Sequence, residues 1–426
     1  MQHPEANWDP GLDHAELSDV GMRRSNNQDS FTRMLAYTPD MWQRRGHLFI
    51  VADGMGAHAA GEYASKLSVD NVPHAYHKLL DDAPAIAIRK AIEEANHVIH
   101  SRGQANLEFQ GMGTTSSALV LLPQGAMVAH VGDSRIYRLR GTRLDQLTFD
   151  HSLVWELAAS GQHGKEVPDY IPKNIITRSL GPNADVKVDV EGPFPLAVGD
   201  TFLLCSDGLT GQLKDEELGA IIGALPPQEA VRTLVDLANL RGGPDNITVL
   251  VVRVNNAPSG EVSASVDMAA DIFAKPRPKV NPLWWALAVA LGLTSAGLFV
   301  ARQPQIAVGV AAAAAGVLMF LFVRQSRQPA GADDASMDQH HGRAPYASAE
   351  AAFNDQFVDA LERVLEEMRD AATQEHWVVD WSKINLSTAR AIEAAKQKNF
   401  VVAVREYCRA ISVLMAELRT QRKTKA

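Results

Sequence analysis

Four aspartates sit just past short apolar or β-branched runs, between positions 53 and 245, and they are the residues best suited to chemistry. They are Asp53 in HLFIVADGMG, Asp133 in MVAHVGDSR, Asp207 in TFLLCSDGLT and Asp245 in GGPDNITVLVV. Acidic side chains at strand ends are costly to bury unless something positive binds them. Converging on one rim, they would form an oxygen-lined cage for a hard divalent cation, which points to metal-assisted chemistry. Taken singly, each has a plainer reading. Asp53-Gly54 and Asp207-Gly208 would pass as turns, Asp133 as a hairpin cap, Asp245-Asn246 as a strand start and Arg24 as a surface cation. Cys205 lies inside an apolar run with no His or cation close in sequence to activate it, and reads as a small buried hydrophobe rather than a nucleophile.

The elements that would position these residues fall within residues 15–255. Runs rich in Val, Ile, Leu and Thr predict strands at 48–52, 116–122, 127–131, 135–140, 201–205 and 247–254. The two strands flanking Gly132-Asp133-Ser134 are close enough for a hairpin. Helical periodicity appears at 60–80, 84–101, 151–160 and 227–240. Long helices mixed with hairpin-linked strands predict an α+β layered sandwich rather than a doubly wound parallel sheet.

The 426 residues leave room for two or three domains, and a hydrophobic content of 46% supplies a sizeable core. A net charge of −9 argues against nucleic acid as a partner. Two cysteines, Cys205 and Cys408, fall in different expected domains, which fits a reducing cytosolic setting without a disulfide. The polar start MQHPEANWDPGLDHAE has no apolar core of a signal peptide, and residues 1–14 read as a tail.

Beyond a linker at 256–282 the composition changes. Residues 283–301 and 306–323 are uncharged stretches of 19 and 18 residues, separated by Arg302-Gln303-Pro304-Gln305. Each would reach about 28 Å as a helix, close to the thickness of a bilayer's hydrocarbon. With Trp284 and Trp285 at the interface, and basic flanks at Lys275, Arg277, Lys279, Arg324 and Arg327, this predicts a transmembrane hairpin over 283–323. The expected location is therefore the inner membrane, multi-pass, with the flanking domains in the cytosol. A second linker at 324–347 precedes a small all-α region at 348–426. There Phe353, Phe357, Leu361, Val364, Leu365 and Met368 form an apolar stripe. Ala391, Asn399-Phe400, Ala403, Tyr407 and Ala410 resemble the small/aromatic spacing of one tetratricopeptide unit, although a small helical bundle explains them as well. Such helices could offer a groove to a protein partner.

Taken in order, SDVGMRRSNNQDSF, FIVADGMGAHAAGEYAS, GMGTTSSALVL, AHVGDSRIYRLR, ITRSLGP, LLCSDGLT and GGPDNITVLVV closely resemble the metal-dependent Ser/Thr protein phosphatases of type 2C (the PPM family), bacterial branch. The resemblance covers residues 17–254. It implies a four-layer αββα sandwich, two antiparallel sheets flanked by helices, with a centre of two Mn²⁺ or Mg²⁺ ions and a weaker third. On this resemblance Asp53 bridges the two metals and the Gly54 carbonyl ligates one, Asp207 and Asp245 hold the other, and Asp133 helps bind the third. Asp29 acts on metal-bound water and Arg24 grips the substrate phosphate. The substrates would be phosphoserine and phosphothreonine proteins, products of a Ser/Thr kinase. Three positions depart from the common pattern: Gln28 for Glu, Met55 where animal members carry a His, and Ala57 for Gly; nearby His58 could substitute for that acid, although a supporting or surface role explains it better. The competing expectation is a non-catalytic scaffold whose C-terminal helices bind partners.

Overall fold

The computed structural model describes residues 10–57, 59–160, 171–172, 175–256, 294 and 343–425. The chain opens with β1 (Leu12–Asp19), β2 (Asp29–Met34), α1 (Pro39–Arg44), β3 (His47–Met55), α2 (Ala60–Lys78) and α3 (Pro84–Ala105). Next come β4 (Gly113–Thr114), β5 (Ser116–Leu122), β6 (Gly125–Val131), β7 (Arg135–Arg140), β8 (Arg143–Gln146), α4 (Leu153–Ser160) and β9 (Asp189–Phe194). There follow β10 (Thr201–Cys205), α5 (Asp207–Thr210), α6 (Asp215–Ala224), α7 (Pro227–Leu240) and β11 (Ile247–Val254). The last elements are β12 (Ala347–Glu350), α8 (Asp355–Gln374), α9 (Trp381–Lys396) and α10 (Phe400–Lys425).

Successive side chains on a strand point to opposite faces, and this alternation builds the layers. Phe49 and Val51 of β3 and Leu119 and Leu121 of β5 meet Phe202, Leu204, Leu250 and Val252 of β10 and β11 between two sheets. Their neighbours Leu48, Ile50, Ala118 and Val120 turn outward onto Ile88 and Ile92 of α3. On the other side Leu203, Cys205, Val249 and Val251 turn outward onto α6 and α7. The sheets have orders β1-β11-β10-β7-β8-β12 and β2-β3-β5-β6-β9, with β4 on β3. Each named pairing is antiparallel. This is the α+β sandwich of two antiparallel sheets that the sequence predicts.

The hairpin expected around Gly132-Asp133-Ser134 does not form. β6 pairs with β5 and β9 in one sheet, while β7 pairs with β10 and β8 in the other. The chain crosses between sheets at Gly132, whose φ of +117° suits glycine and where a Cβ would fall 2.4 Å from the Thr115 side chain.

The C-terminal region is helical, as expected, but it shares the sandwich's core. The described residues on both sides of the linker belong to one compact unit. β12 extends the first sheet by pairing with β8, Ala347 opposite Gln146 and Glu350 opposite Arg143. Asn354 caps α8 by accepting from the Phe357 amide at 3.0 Å. Phe357, Leu361, Leu365 and Met368 of α8 then join Tyr407, Ile411 and Leu414 of α10 and Leu218, Ile222 and Leu234 of α6 and α7 in one cluster. Ala391, Ala403, Tyr407 and Ala410, the residues with tetratricopeptide-like spacing, are buried where α9 folds back on α10. The face that one helical hairpin leaves open is covered here by α8 and by α6 and α7. Polar ties reinforce the contact: Arg405 Nε donates to the Ala224 carbonyl at the end of α6 (2.7 Å), and Thr233 meets Ser412 at 3.1 Å.

The multi-pass inner-membrane location needs correction. Among the described residues no helix is long and apolar enough to cross a membrane. The hairpin expected at 283–323 lies, Thr294 aside, outside the described residues. With no spanning helix among the described residues to carry it, the membrane placement is withdrawn.

Because α8 and the sandwich share a core, Leu361→Ala should cost about 2–5 kcal/mol, the usual range for a buried leucine. Urea unfolding followed by circular dichroism should shift as one transition, whereas an independent helical domain would split it into two.

Candidate active site

Strand direction explains why residues so distant in sequence share one rim. β1, β3, β6 and β10 run towards one end of the sandwich, and β2, β7 and β11 leave from it. The turns at 20–28, 132–134, 206–207 and 243–246 therefore cluster there. Asp29 opens β2 directly opposite Asp53 in the β2–β3 register. Across the gap between sheets, Ser206 Oγ donates to Asp29 Oδ2 at 2.7 Å.

The backbone around Asp53 is clamped on both sides. Its N–H donates to Thr115 Oγ1 at 2.8 Å, and its carbonyl accepts from Thr114 Oγ1 at 3.0 Å and from the Thr115 amide at 2.8 Å. Gly54 is wedged so closely that a Cβ would lie 2.1 Å from the Gly61 carbonyl oxygen and 2.5 Å from that of Gln28. Only glycine fits. Asp207 follows β10 at the start of α5, where a Cβ on Gly208 would likewise lie 2.0 Å from the Asn246 carbonyl oxygen.

Burial and crowding set the electrostatics. Asp53 is held well above the usual carboxylate range by burial and then by the charges of Asp29, Asp207, Asp133 and Asp245. Burial pushes Asp29 up to about 7 despite the hydrogen bonds from Ser206 and Thr248, and pushes Asp133 up to about 7 with help from Asp207. Asp207 is also raised, by burial first and Asp245 second, while a hydrogen bond with Asp53 and the charges of Arg24 and Arg135 oppose the rise. Arg24 Nη2 donates to Asp245 Oδ2 at 2.8 Å, and this bond strengthens the guanidinium's hold on its proton. Burial raises the Cys205 thiol far out of the reactive range, in keeping with its place in the core.

The 20–28 turn is stitched to the 243–246 turn. Asn246 Nδ2 donates to the carbonyls of Val20 and Asn26, both at 2.9 Å, and Asn246 Oδ1 accepts from the Gln28 amide at 2.8 Å. Gln28 thus serves through its backbone as well, its carbonyl receiving Ser65 Oγ at 2.6 Å.

The structure places every residue singled out in the sequence, Arg24, Asp29, Asp53, Gly54, Asp133, Asp207 and Asp245, on this rim. His58 lies outside the described residues. The supporting residues Thr114, Thr115, Ser206 and Asn246 were not foreseen as such. Ser206 and Asn246 adjoin the aspartates in CSDG and PDNIT, and that adjacency is the one signal the sequence holds for them.

Divalent cations suit this donor set. The oxygens are hard and anionic, and the buried Asp29 Oδ1 and Asp133 Oδ1 have no hydrogen-bond partner among the described residues. Among the described residues no three acids or His/Cys side chains form a closed metal-ligating group.

Comparison with known proteins agrees with this geometry. The family model described as protein phosphatase 2C matches residues 22–234. The protein phosphatase PhpP of Streptococcus pneumoniae is 40% identical over 245 residues, covering 56% of this chain and 96% of that protein. The solved serine/threonine phosphatase of S. agalactiae is 35% identical, with a TM-score of 0.51 over 57% of this chain and 100% of its own. The solved Mycobacterium tuberculosis serine/threonine phosphatase PstP/Ppp is 33% identical, with a TM-score of 0.50 over 57% of this chain and 99% of its own. Fold, rim and similarity agree: the chain belongs to the protein phosphatase 2C family.

Proposed function

We propose that the rim hydrolyses phosphoserine and phosphothreonine in proteins with Asp53, Gly54, Asp207 and Asp245 as holders of two Mn²⁺ or Mg²⁺ ions. The chain is a metal-dependent serine/threonine protein phosphatase, and the residue roles are the part advanced here. The observation that carries them is the crowding of Asp29, Asp53, Asp133 and Asp207 in a buried cluster faced by Arg24. So much like charge in one place has a use only if cations join it.

When bound, the cations neutralise the carboxylates, draw charge from phosphoryl oxygens and acidify water. Arg24 offers a planar fork to the phosphate oxygens, a charge-assisted pairing worth about 1.5–3 kcal/mol. Were Nη2 to exchange Asp245 Oδ2 for a phosphate oxygen, that carboxylate would be freed as a ligand. Asp29, hydrogen-bonded through Oδ2 to Ser206, has no partner at Oδ1 among the described residues and can take a proton there near neutral pH. Asp133 serves a third, weaker cation. Thr114, Thr115 and Asn246 keep these groups from drifting apart. A non-catalytic scaffold has no support in a rim whose acids and arginine are all present. The substrates are phosphorylated proteins, the products of a Ser/Thr kinase.

Asp207→Asn should lower the rate of phosphate release from a phosphothreonine peptide by about 100-fold or more, the scale of losing one electrostatic stabiliser. Chelation should abolish activity and Mn²⁺ restore it. A wild-type rate in Asp207→Asn would end this reading.

The raised acids also set a pH dependence. Asp133 has a folded-state pKa of about 7, above its unfolded value of about 3.9. The folded state therefore binds the extra proton, and stability falls as pH rises from about 4 to 7. In chelator-treated protein, urea unfolding should show wild type losing stability relative to Asp133→Asn across that window. Added Mn²⁺ should shrink the difference.

A further inference from the structure

The turn that carries Arg24 is tied to a helix outside the family match. α10 spans Phe400–Lys425, whereas the matched residues are 22–234. Arg419 on α10 sets Nη2 2.7 Å from Asp236 Oδ1 on α7 and 4.0 Å from Asp19 Oδ2 at the end of β1. The Asp236 side chain is fully buried, and Arg419 supplies the counter-charge that such a group needs.

Asp19 links that guanidinium to the rim. Its Oδ1 accepts from the Gly21 amide at 2.9 Å and from Asn239 Nδ2 at 3.1 Å. Gly21 has φ of +79° and lies against the backbone of Asp245, where a Cβ would stand 2.1 Å from the carbonyl oxygen. The next residue, Met22, donates its amide to the Gly243 carbonyl at 2.8 Å. Arg24 then pairs with Asp245 at 2.8 Å. A long ion pair of 4.0 Å, then hydrogen bonds and close backbone packing, thus connect Arg419, Asp19, Gly21 and the Arg24–Asp245 pair.

We propose that Arg419 is a positioning residue for phosphate binding: it holds the Asp19 carboxylate against the turn at Gly21 and so sets where Arg24 is presented. The proposal rests on the reading of Arg24 as the group that grips phosphate. Arg409 provides the contrast. It sits on the same helix and makes a two-pronged pair with Glu229 at 2.6 and 3.1 Å, but Glu229 lies in the first turn of α7, at the end remote from Gly242 and Gly243. Both arginines join α10 to α7, and of the two Arg419 also reaches Asp19.

The test compares Arg419→Ala, Arg419→Lys, Arg409→Ala and Arg24→Ala in the full chain, with a phosphothreonine peptide and saturating Mn²⁺. Arg419→Gln stands in should the alanine variant fail to fold. Loss of positioning should raise KM roughly 3- to 10-fold with a smaller change in kcat, as a displacement well under 1 Å would. Arg419→Lys should recover most of that loss, and Arg409→Ala should leave KM unchanged even where it lowers the melting temperature. An Arg419→Ala enzyme with wild-type KM overturns the proposal, as does an equal rise in KM in Arg409→Ala. An Arg24→Ala enzyme with unchanged KM would instead overturn the reading of Arg24 on which the proposal stands.

Discussion

Mutual repulsion among buried carboxylates is the constraint around which this molecule is built. Asp29, Asp53, Asp133 and Asp207 each lose the favourable hydration of an exposed acid, and each raises the cost of ionising its neighbours. A flexible chain would relieve that cost by moving apart. The sandwich prevents it by fixing backbone rather than side chain: Thr114 and Thr115 bracket Asp53, Asn246 ties two turns together, and Gly54 and Gly208 pack against neighbouring carbonyls without room for a methyl group. Charge density at the rim is thus maintained by hydrogen bonds and steric fit a few ångströms behind it.

How far this was legible in sequence varies by element. β5, β10 and β11 were readable to the residue because their apolar runs are nearly continuous and buried on both faces. β1 and β2 were not. Their residues, LDHAELSD and DSFTRM, are mostly half-buried at sheet edges, and neither alternation nor apolar content marks them. That matters because β2 begins with Asp29, whose place opposite Asp53 could be inferred from the family resemblance but not from local pattern. The false hairpin at Gly132 has a similar cause. A short polar turn between two apolar strands looks the same whether the strands pair or part, and here they part because β6 pairs with β5 and β9 while β7 pairs with β10 and β8.

The C-terminal region shows another limit of pattern. An amphipathic stripe such as Phe357, Leu361, Leu365 and Met368 announces that a helix is covered without naming what covers it. Here the cover is the outer face of the catalytic sandwich, reached through α6 and α7. The helices therefore contribute to the same cooperative unit as the rim, and a change in their packing has a mechanical route to the turn bearing Arg24.

The pairing of β12 with β8 carries one more consequence. β8 is four residues long, and without its partner it would end the first sheet with a bare row of amide and carbonyl groups. Such a border invites association with any extended polypeptide nearby. A version of the protein cut off after the last catalytic strand would thus gain a sticky margin as well as lose core, and self-association would compete with its folding.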